Sequence, residues 1–149
     1  MAGATIAVAS DHAGFDLKEI LKRDLQEAGL EVLDLGTHST ASVDYPDFGR
    51  AMAETIAAGT AEKGVIVCGT GIGISIAANR NPKIRAAIVH DVTSARLCRL
   101  HNDANVVAFG QRLIGTETAR EALKVFLDTE FEGGRHAARV AKLSKGCTT

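Results

Sequence analysis

The sequence predicts an α/β fold, a single five-stranded parallel sheet covered by helices on both faces in three layers. Several short runs are continuously apolar and β-branched, among them Thr5–Ser10, Val65–Val67 and Asn105–Phe109, as strands buried on both faces require. Between these runs, apolar residues recur at helical spacing. Glycines punctuate the strand-to-helix turns, most densely in the GTGIG of residues 69–73. Strands that alternate with helices imply parallel pairing. With no repeat, low-complexity segment or linker in view, residues 1–149 are expected to form one domain with a polar tail from about 144.

Each element has its own justification. Thr5–Ser10 (TIAVAS) reads as the first strand and ends in Asp11-His12-Ala13-Gly14. From Phe15 to Ala28, Leu17, Ile20, Leu21 and Leu25 form an apolar stripe, opposite Lys18, Glu19, Lys22 and Arg23, and Gly29 stops the helix. Glu31–Leu35 alternates as a second strand, and a polar loop runs from Gly36 to Asp44. Pro46 opens a helix that ends near Gly59. The third strand and glycine turn lead into an Ala-containing helix, and Asn79–Arg85 connects it to a fourth strand, Ala86–His90. Val92–Leu100 reads as a helix closed by His101-Asn102, with Asn tolerating a left-handed conformation. After the fifth strand and the GQRLIG loop, Thr116 is expected to cap a helix bearing Leu123, Phe126 and Leu127. A last helix spans about Arg135–Leu143.

Composition narrows the function. Net charge is -1, from 17 basic and 18 acidic residues, so no basic excess exists to hold a nucleic-acid backbone. No Trp and a single Tyr leave few rings for stacking bases. Anionic small substrates need only a local cationic cluster. Three cysteines, at 68, 98 and 147, form no CxxC pair and no Cys/His metal spacing, which argues for a reducing compartment and against a structural metal. The chain opens with no signal-peptide pattern and contains no apolar run of membrane-spanning length, so a cytoplasmic protein without membrane or nucleic-acid partners is expected.

In open α/β sheets, ligands bind beyond the carboxyl ends of the strands, where strand order reverses. Asp11-His12, Cys68–Gly73, His90-Asp91 and Gly110–Arg112 all fall at such ends. The glycine turn can point several N–H groups at one spot, a suitable anion site. Cys68 at its edge is a nucleophile or base, or a small buried apolar residue. Taken in isolation, Asp11 and His12 read as a cap of the first helix. Arg135 and Arg139, four apart, share one helix face and suit either solvent or a phosphate. His38 and His136 are assigned to the surface, Cys98 to the core, and Cys147 to an exposed position without a role.

The DHAG after the first strand, CGTGIGISIAAN after the third, HDVTSARLCRLHNDANV and the late arginine pair together resemble the type B ribose-5-phosphate isomerases. That sugar-phosphate isomerase family also includes galactose 6-phosphate and allose 6-phosphate isomerases, and the similarity runs from about Thr5 to Leu143. The resemblance implies a Rossmann-like fold and cofactor-free, metal-free aldose–ketose isomerisation of a phosphorylated sugar. It also implies a homodimer, or a tetramer built from such dimers, whose sites take residues from both subunits. By position, Cys68 matches the proton-transferring base, and the backbone of Gly69, Thr70, Gly71, Ile72 and Gly73 matches the anion hole. His101 matches the ring-opening residue, helped by Asp11 and Thr70, with Asn102 holding substrate. His12, Arg112, Arg135 and Arg139 match the phosphate-facing set. One branch of the family replaces the cysteine and uses a Glu four residues later. Here that position is Ile72, so the base is Cys68 or nothing nearby.

Ribose 5-phosphate is the expected substrate, with allose, galactose or tetrose phosphates as alternatives under the same mechanism. A non-catalytic nucleotide-binding or flavodoxin-like module is the alternative of another class.

Overall fold

The computed structural model describes residues 3–145. Five strands, β1 (Thr5–Ser10), β2 (Glu31–Asp34), β3 (Lys63–Cys68), β4 (Ala86–Ile88) and β5 (Val106–Gly110), form one parallel sheet in the order β2-β1-β3-β5-β4. The predicted fold class is thus observed. The three most apolar runs became the three central strands, whereas β2 and β4 lie at the edges and are only partly buried.

Among the described residues there are six α-helices: α1 (Phe15–Glu27), α2 (Tyr45–Ala57), α3 (Ile72–Ala78), α4 (Val92–Asn102) and α5 (Thr116–Asp128) cover the sheet, and α6 (Arg135–Lys145) packs on α4. Alternate residues of each strand point to opposite faces. Val8, Val65, Val67, Val107 and Phe109 therefore pack with Leu17, Leu21, Leu123 and Phe126 beneath α1, α4 and α5. Ala7, Ala9, Ile66, Cys68 and Ala108 face α2 and α3 together with Met52 and Ile74. Burying each large aliphatic or aromatic side chain contributes about 1.5–3 kcal/mol, so these two layers hold the sheet together.

Several expectations needed correction. Lys18 is not on the solvent side of α1; it is fully buried, with Nζ donating at 2.7 Å to both Asp34 Oδ1 and the Thr37 carbonyl. A nearby carboxylate and carbonyl replace the water that the ammonium loses. Thr116 does not cap α5: Gly115 holds the cap position without a side-chain bond, and Thr116 is the first helical residue. The left-handed residue after α4 is Asp103 (φ 47°), not Asn102, which stays helical. The last helix runs two residues beyond Leu143, to Lys145. Gly29 stops α1 as expected: at φ 84° it takes the left-handed turn, and Leu30 N–H reaches back to the Leu25 carbonyl. Cys147 lies outside the described residues.

Candidate active site

Sheet order reverses between β1 and β3, since β1 leads outward to β2 on one side and β3 leads toward β5 and β4 on the other. The crevice beyond their carboxyl ends receives Asp11 and His12 from β1 and the Cys68–Gly73 turn from β3. The Gly110–Arg112 turn of β5 borders it.

This rim is closely built. Asp11 is buried and accepts the Gly14 N–H at 3.1 Å, so the helix-capping alternative is realised here in a 3₁₀ turn, His12–Gly14. That turn lies against β3 so tightly that a Cβ on Gly14 would fall 2.5 Å from the Val67 carbonyl carbon and oxygen. His12 is half-buried and its Nδ1 accepts the Val43 N–H at 3.1 Å, which leaves Nε2 as the proton-bearing nitrogen. Cys68 is 4% exposed, and Gly71 N–H donates to its Sγ at 3.1 Å. Gly71 takes φ 78°, and a Cβ there would crowd the Phe109 carbonyl at 3.0–3.1 Å, so glycine is required twice over. Ile72 N–H turns back to Thr70 Oγ1 at 3.2 Å.

The Arg112 backbone N–H bonds the Gly69 carbonyl at 2.9 Å, and its guanidinium lies over Gly69 with no carboxylate partner among the described residues. Two residues escaped the sequence reading. The Tyr45 ring packs directly against Gly73, and Gln111 Oε1 accepts the Leu17 N–H at 2.9 Å, tying the β5 turn to the start of α1. The sequence offered a signal for Tyr45 only, as the sole tyrosine, immediately before Pro46.

His101 is elsewhere. Asp91 starts α4 at the carboxyl rim beside the edge strand, where it forms a capping box with Ser94. His90-Asp91 thus builds a helix start and stands two strands from the crevice. From there α4 descends about 14 Å along its axis to His101. Its end leads directly into β5, whose first residue pairs with Gly64 and Ala86 at the amino edge of the sheet. Buried Arg99 secures this end by donating to the carbonyls of Ala104 (2.7 Å) and Thr129 (2.9 Å). Thr129 begins the segment leading to α6.

That anchor sets α6 beside α4. His101, Asn102, His136, Arg139, Val140 and Leu143 line a cavity of about 270 Å³. His136 is not on the surface, as expected from sequence, but 7% exposed and stacked on His101 with ring centroids 4.5 Å apart. Burial, then the charges of His101 and Arg135, hold its pKa below the usual histidine value. Its packing on α4 was invisible in a helix that reads as polar. Arg135 and Arg139 are exposed, without carboxylate partners among the described residues.

One chain thus unites Asp11, His12, Cys68, Gly69, Thr70, Gly71, Ile72, Gly73 and Arg112 at the carboxyl rim. It places His101, Asn102, Arg135 and Arg139 at the amino edge. A larger hollow of about 490 Å³ between α1 and α5, where Asp24, Glu27, Glu117, Glu121 and Asp128 outnumber Arg120 and Lys124, belongs to neither group. Cys98 is core as expected, and burial pushes its thiol up to about 11.

The parallel sheet with its order reversing between β1 and β3 defines an α/β protein of the kind that takes its ligands beyond the carboxyl ends of the strands. The ribose/galactose isomerase family matches residues 6–143, and the chain belongs to that family. It is a sugar-phosphate isomerase. It is 45% identical to ribose-5-phosphate isomerase B of Escherichia coli K12 over 93% of each chain. It is 43% identical to D-erythrulose-4-phosphate isomerase of Pectobacterium atrosepticum, over 93% of this chain and 92% of that one. The solved ribose-5-phosphate isomerase B of Clostridium thermocellum superposes with a TM-score of 0.94, at 48% identity over 95% of each chain. No helix among the described residues is long and apolar enough to cross a membrane.

Proposed function

We propose that this isomerase interconverts ribose 5-phosphate and ribulose 5-phosphate through an enediolate, at a site completed by a second copy of the chain. The observation that carries the reading is Cys68 at the switch point, its Sγ fixed by Gly71 N–H while the Arg112 guanidinium, without a carboxylate partner among the described residues, lies over the same turn. In the open-chain aldose, the Cys68 thiolate removes the proton on C2. The C2–H electrons form the C1–C2 double bond, and the carbonyl pair moves onto O1. The same thiol returns the proton to C1 while the O2 proton passes to O1, so that O1 becomes a hydroxyl and C2 the ketone. The barrier is the charge on oxygen, and a preorganised donor in an oxyanion hole is worth about 3–4 kcal/mol.

Ring opening precedes this step and needs a group that moves a proton from the anomeric hydroxyl to the ring oxygen. His101 is the candidate, with Thr70 and Asp11 assisting. It stands at the wrong edge of its own chain, so it acts on the neighbour's Cys68, accompanied by Asn102, Arg135 and Arg139. His12 and Arg112 meet the phosphate from the cysteine's side. A second copy also accounts for exposed apolar residues around the rim, Tyr45, Ile72, Ile76, Val92 and Leu113.

The relative named for D-erythrulose 4-phosphate supports one other reading, the same chemistry on a tetrose phosphate. A panel of phosphorylated aldoses tests both. Ribose 5-phosphate should give the highest kcat/KM, and Cys68→Ser should lose at least ~100-fold in turnover and in solvent-deuterium uptake at the carbon beside the carbonyl. Preference for a tetrose phosphate would replace the substrate, and near-normal turnover by Cys68→Ser would remove the thiol as base.

A further inference from the structure

We propose that His101, Glu132 and His136 form a binding site for a divalent transition ion of the zinc type, and that the bound ion withdraws His101 from catalysis. One donor atom from each of the three residues lies within 4.8 Å of the other two. They come from two helices and the segment between: His101 from α4, His136 from α6, and Glu132 just before it.

The orphaned nitrogen of His136 points to a ligand. His136 is 7% exposed, yet its Nε2 has no hydrogen-bond partner among the described residues, and Glu132 Oε2 stands 3.9 Å away. Buried polar atoms are rarely left so, because an unmade hydrogen bond costs the full desolvation of the group. A metal ion between the imidazoles and the carboxylate would satisfy all three at once.

The donor set also selects the ion. Two imidazoles and one carboxylate with an open fourth position suit zinc, whose bonds of about 2.0–2.2 Å place tetrahedral ligands roughly 3.4 Å apart. Closure by up to about 1.4 Å is therefore needed, and one imidazole must turn out of the parallel stack so that both ring nitrogens face the ion; the 55%-exposed Glu132 and the partly exposed His101 side chains have the room to move. Arg139 lines the same cavity and Arg135 stands one turn before it on α6. Their positive charge disfavours ions such as Mg²⁺ that bind through charge to oxygen. It is less costly to ions whose affinity comes from bonds to nitrogen.

Binding follows from the cluster alone; the loss of activity rests on the ring-opening role proposed above. The test therefore has two arms. Ion-free protein is titrated with Zn²⁺ by calorimetry and with Co²⁺ by visible absorption, as wild type, His136→Ala, Glu132→Gln and Cys68→Ser. One ion per chain is expected, bound at least about tenfold more weakly by His136→Ala and Glu132→Gln. Cys68→Ser should bind as wild type does, and no thiolate-to-cobalt band should appear in the near ultraviolet. Absence of stoichiometric binding, binding unchanged in both ligand variants, or binding lost in Cys68→Ser overturns the site. In the activity arm, EDTA-treated wild type should turn over, Zn²⁺ should inhibit it reversibly, and Glu132→Gln should need about tenfold more Zn²⁺. Full activity with the ion demonstrably bound overturns the withdrawal of His101. Ion-free protein that turns over no sugar phosphate, yet binds Co²⁺ normally, would instead refute the catalytic reading and leave the metal site standing.

Discussion

The carboxyl rim and the amino edge of this molecule carry comparable chemistry in opposite structural conditions. At the rim, Cys68, Asp11 and His12 each have a backbone partner within 3.1 Å, and glycines let the strands and turns approach to contact. At the edge, among the described residues, Arg135 and Arg139 are exposed without a carboxylate partner, and the His136 Nε2 has no hydrogen-bond partner. A site folded within one chain spends its hydrogen-bonding capacity on itself. A site awaiting a second surface leaves cations and nitrogens unspent, as it does Arg112 at the rim. The contrast is the one the proposed shared site requires, with the edge residues keeping their charge for a group outside their own chain.

Subunit mixing offers the sharpest way to break that comparison. His101→Ala and Cys68→Ala should each fall by at least ~100-fold in turnover, as loss of a positioned acid–base group predicts. Mixed and exchanged, the two inactive proteins should recover measurable activity, because one of the hybrid's sites contains both an intact Cys68 and an intact His101. No recovery after verified subunit exchange would mean that the two regions never meet.

The difference in packing predicts a difference in stability. Gly110→Ala places a Cβ 2.5 Å from the Thr70 carbonyl carbon and oxygen, where only backbone movement can make room. It should destabilise the protein by about 1–3 kcal/mol or more in chemical denaturation. Gly133→Ala, near the amino edge, meets nothing within 4 Å and suffers only from its φ of 71°, a cost of roughly 1–2 kcal/mol. Equal losses would argue that the rim is no tighter than the edge. The buried pair beneath the rim extends the same test. Burial alone would raise the Asp34 pKa, but the Lys18 ammonium, Gly36 N–H and Lys22 outweigh it and hold the carboxyl below its ordinary value. The carboxylate therefore contributes stability above pH ~4 that fades as the pH falls through its lowered folded-state pKa. Asp34→Asn should flatten that part of a stability–pH profile.

The smallest expected effect belongs to the exposed arginines. Arg139→Ala should raise KM on the order of tenfold, with kcat nearly kept, since a charge-assisted bond contributes about 1.5–3 kcal/mol to binding. An unphosphorylated sugar should show little of that change. Equal losses on both substrates would remove Arg139 from the phosphate and leave the edge without its proposed ligand.

The sequence by itself determined the sheet, its parallel sense and the rim. Continuous apolar runs admit only strands covered on both faces, and in a parallel sheet every strand-to-helix turn must open toward the same edge. Asp11, Cys68 and Arg112 could therefore be placed together before any coordinates were known. What tertiary structure alone decided was the depth and neighbourhood of side chains on helices. Lys18 looks like any solvent-facing lysine until Asp34 and the Thr37 carbonyl close over it. His136 looks like a surface histidine until Arg99 draws the chain after α5 back against the end of α4 and lays one imidazole on the other. Helical periodicity reports which way a residue points, but not what another segment, distant in sequence, brings up against it.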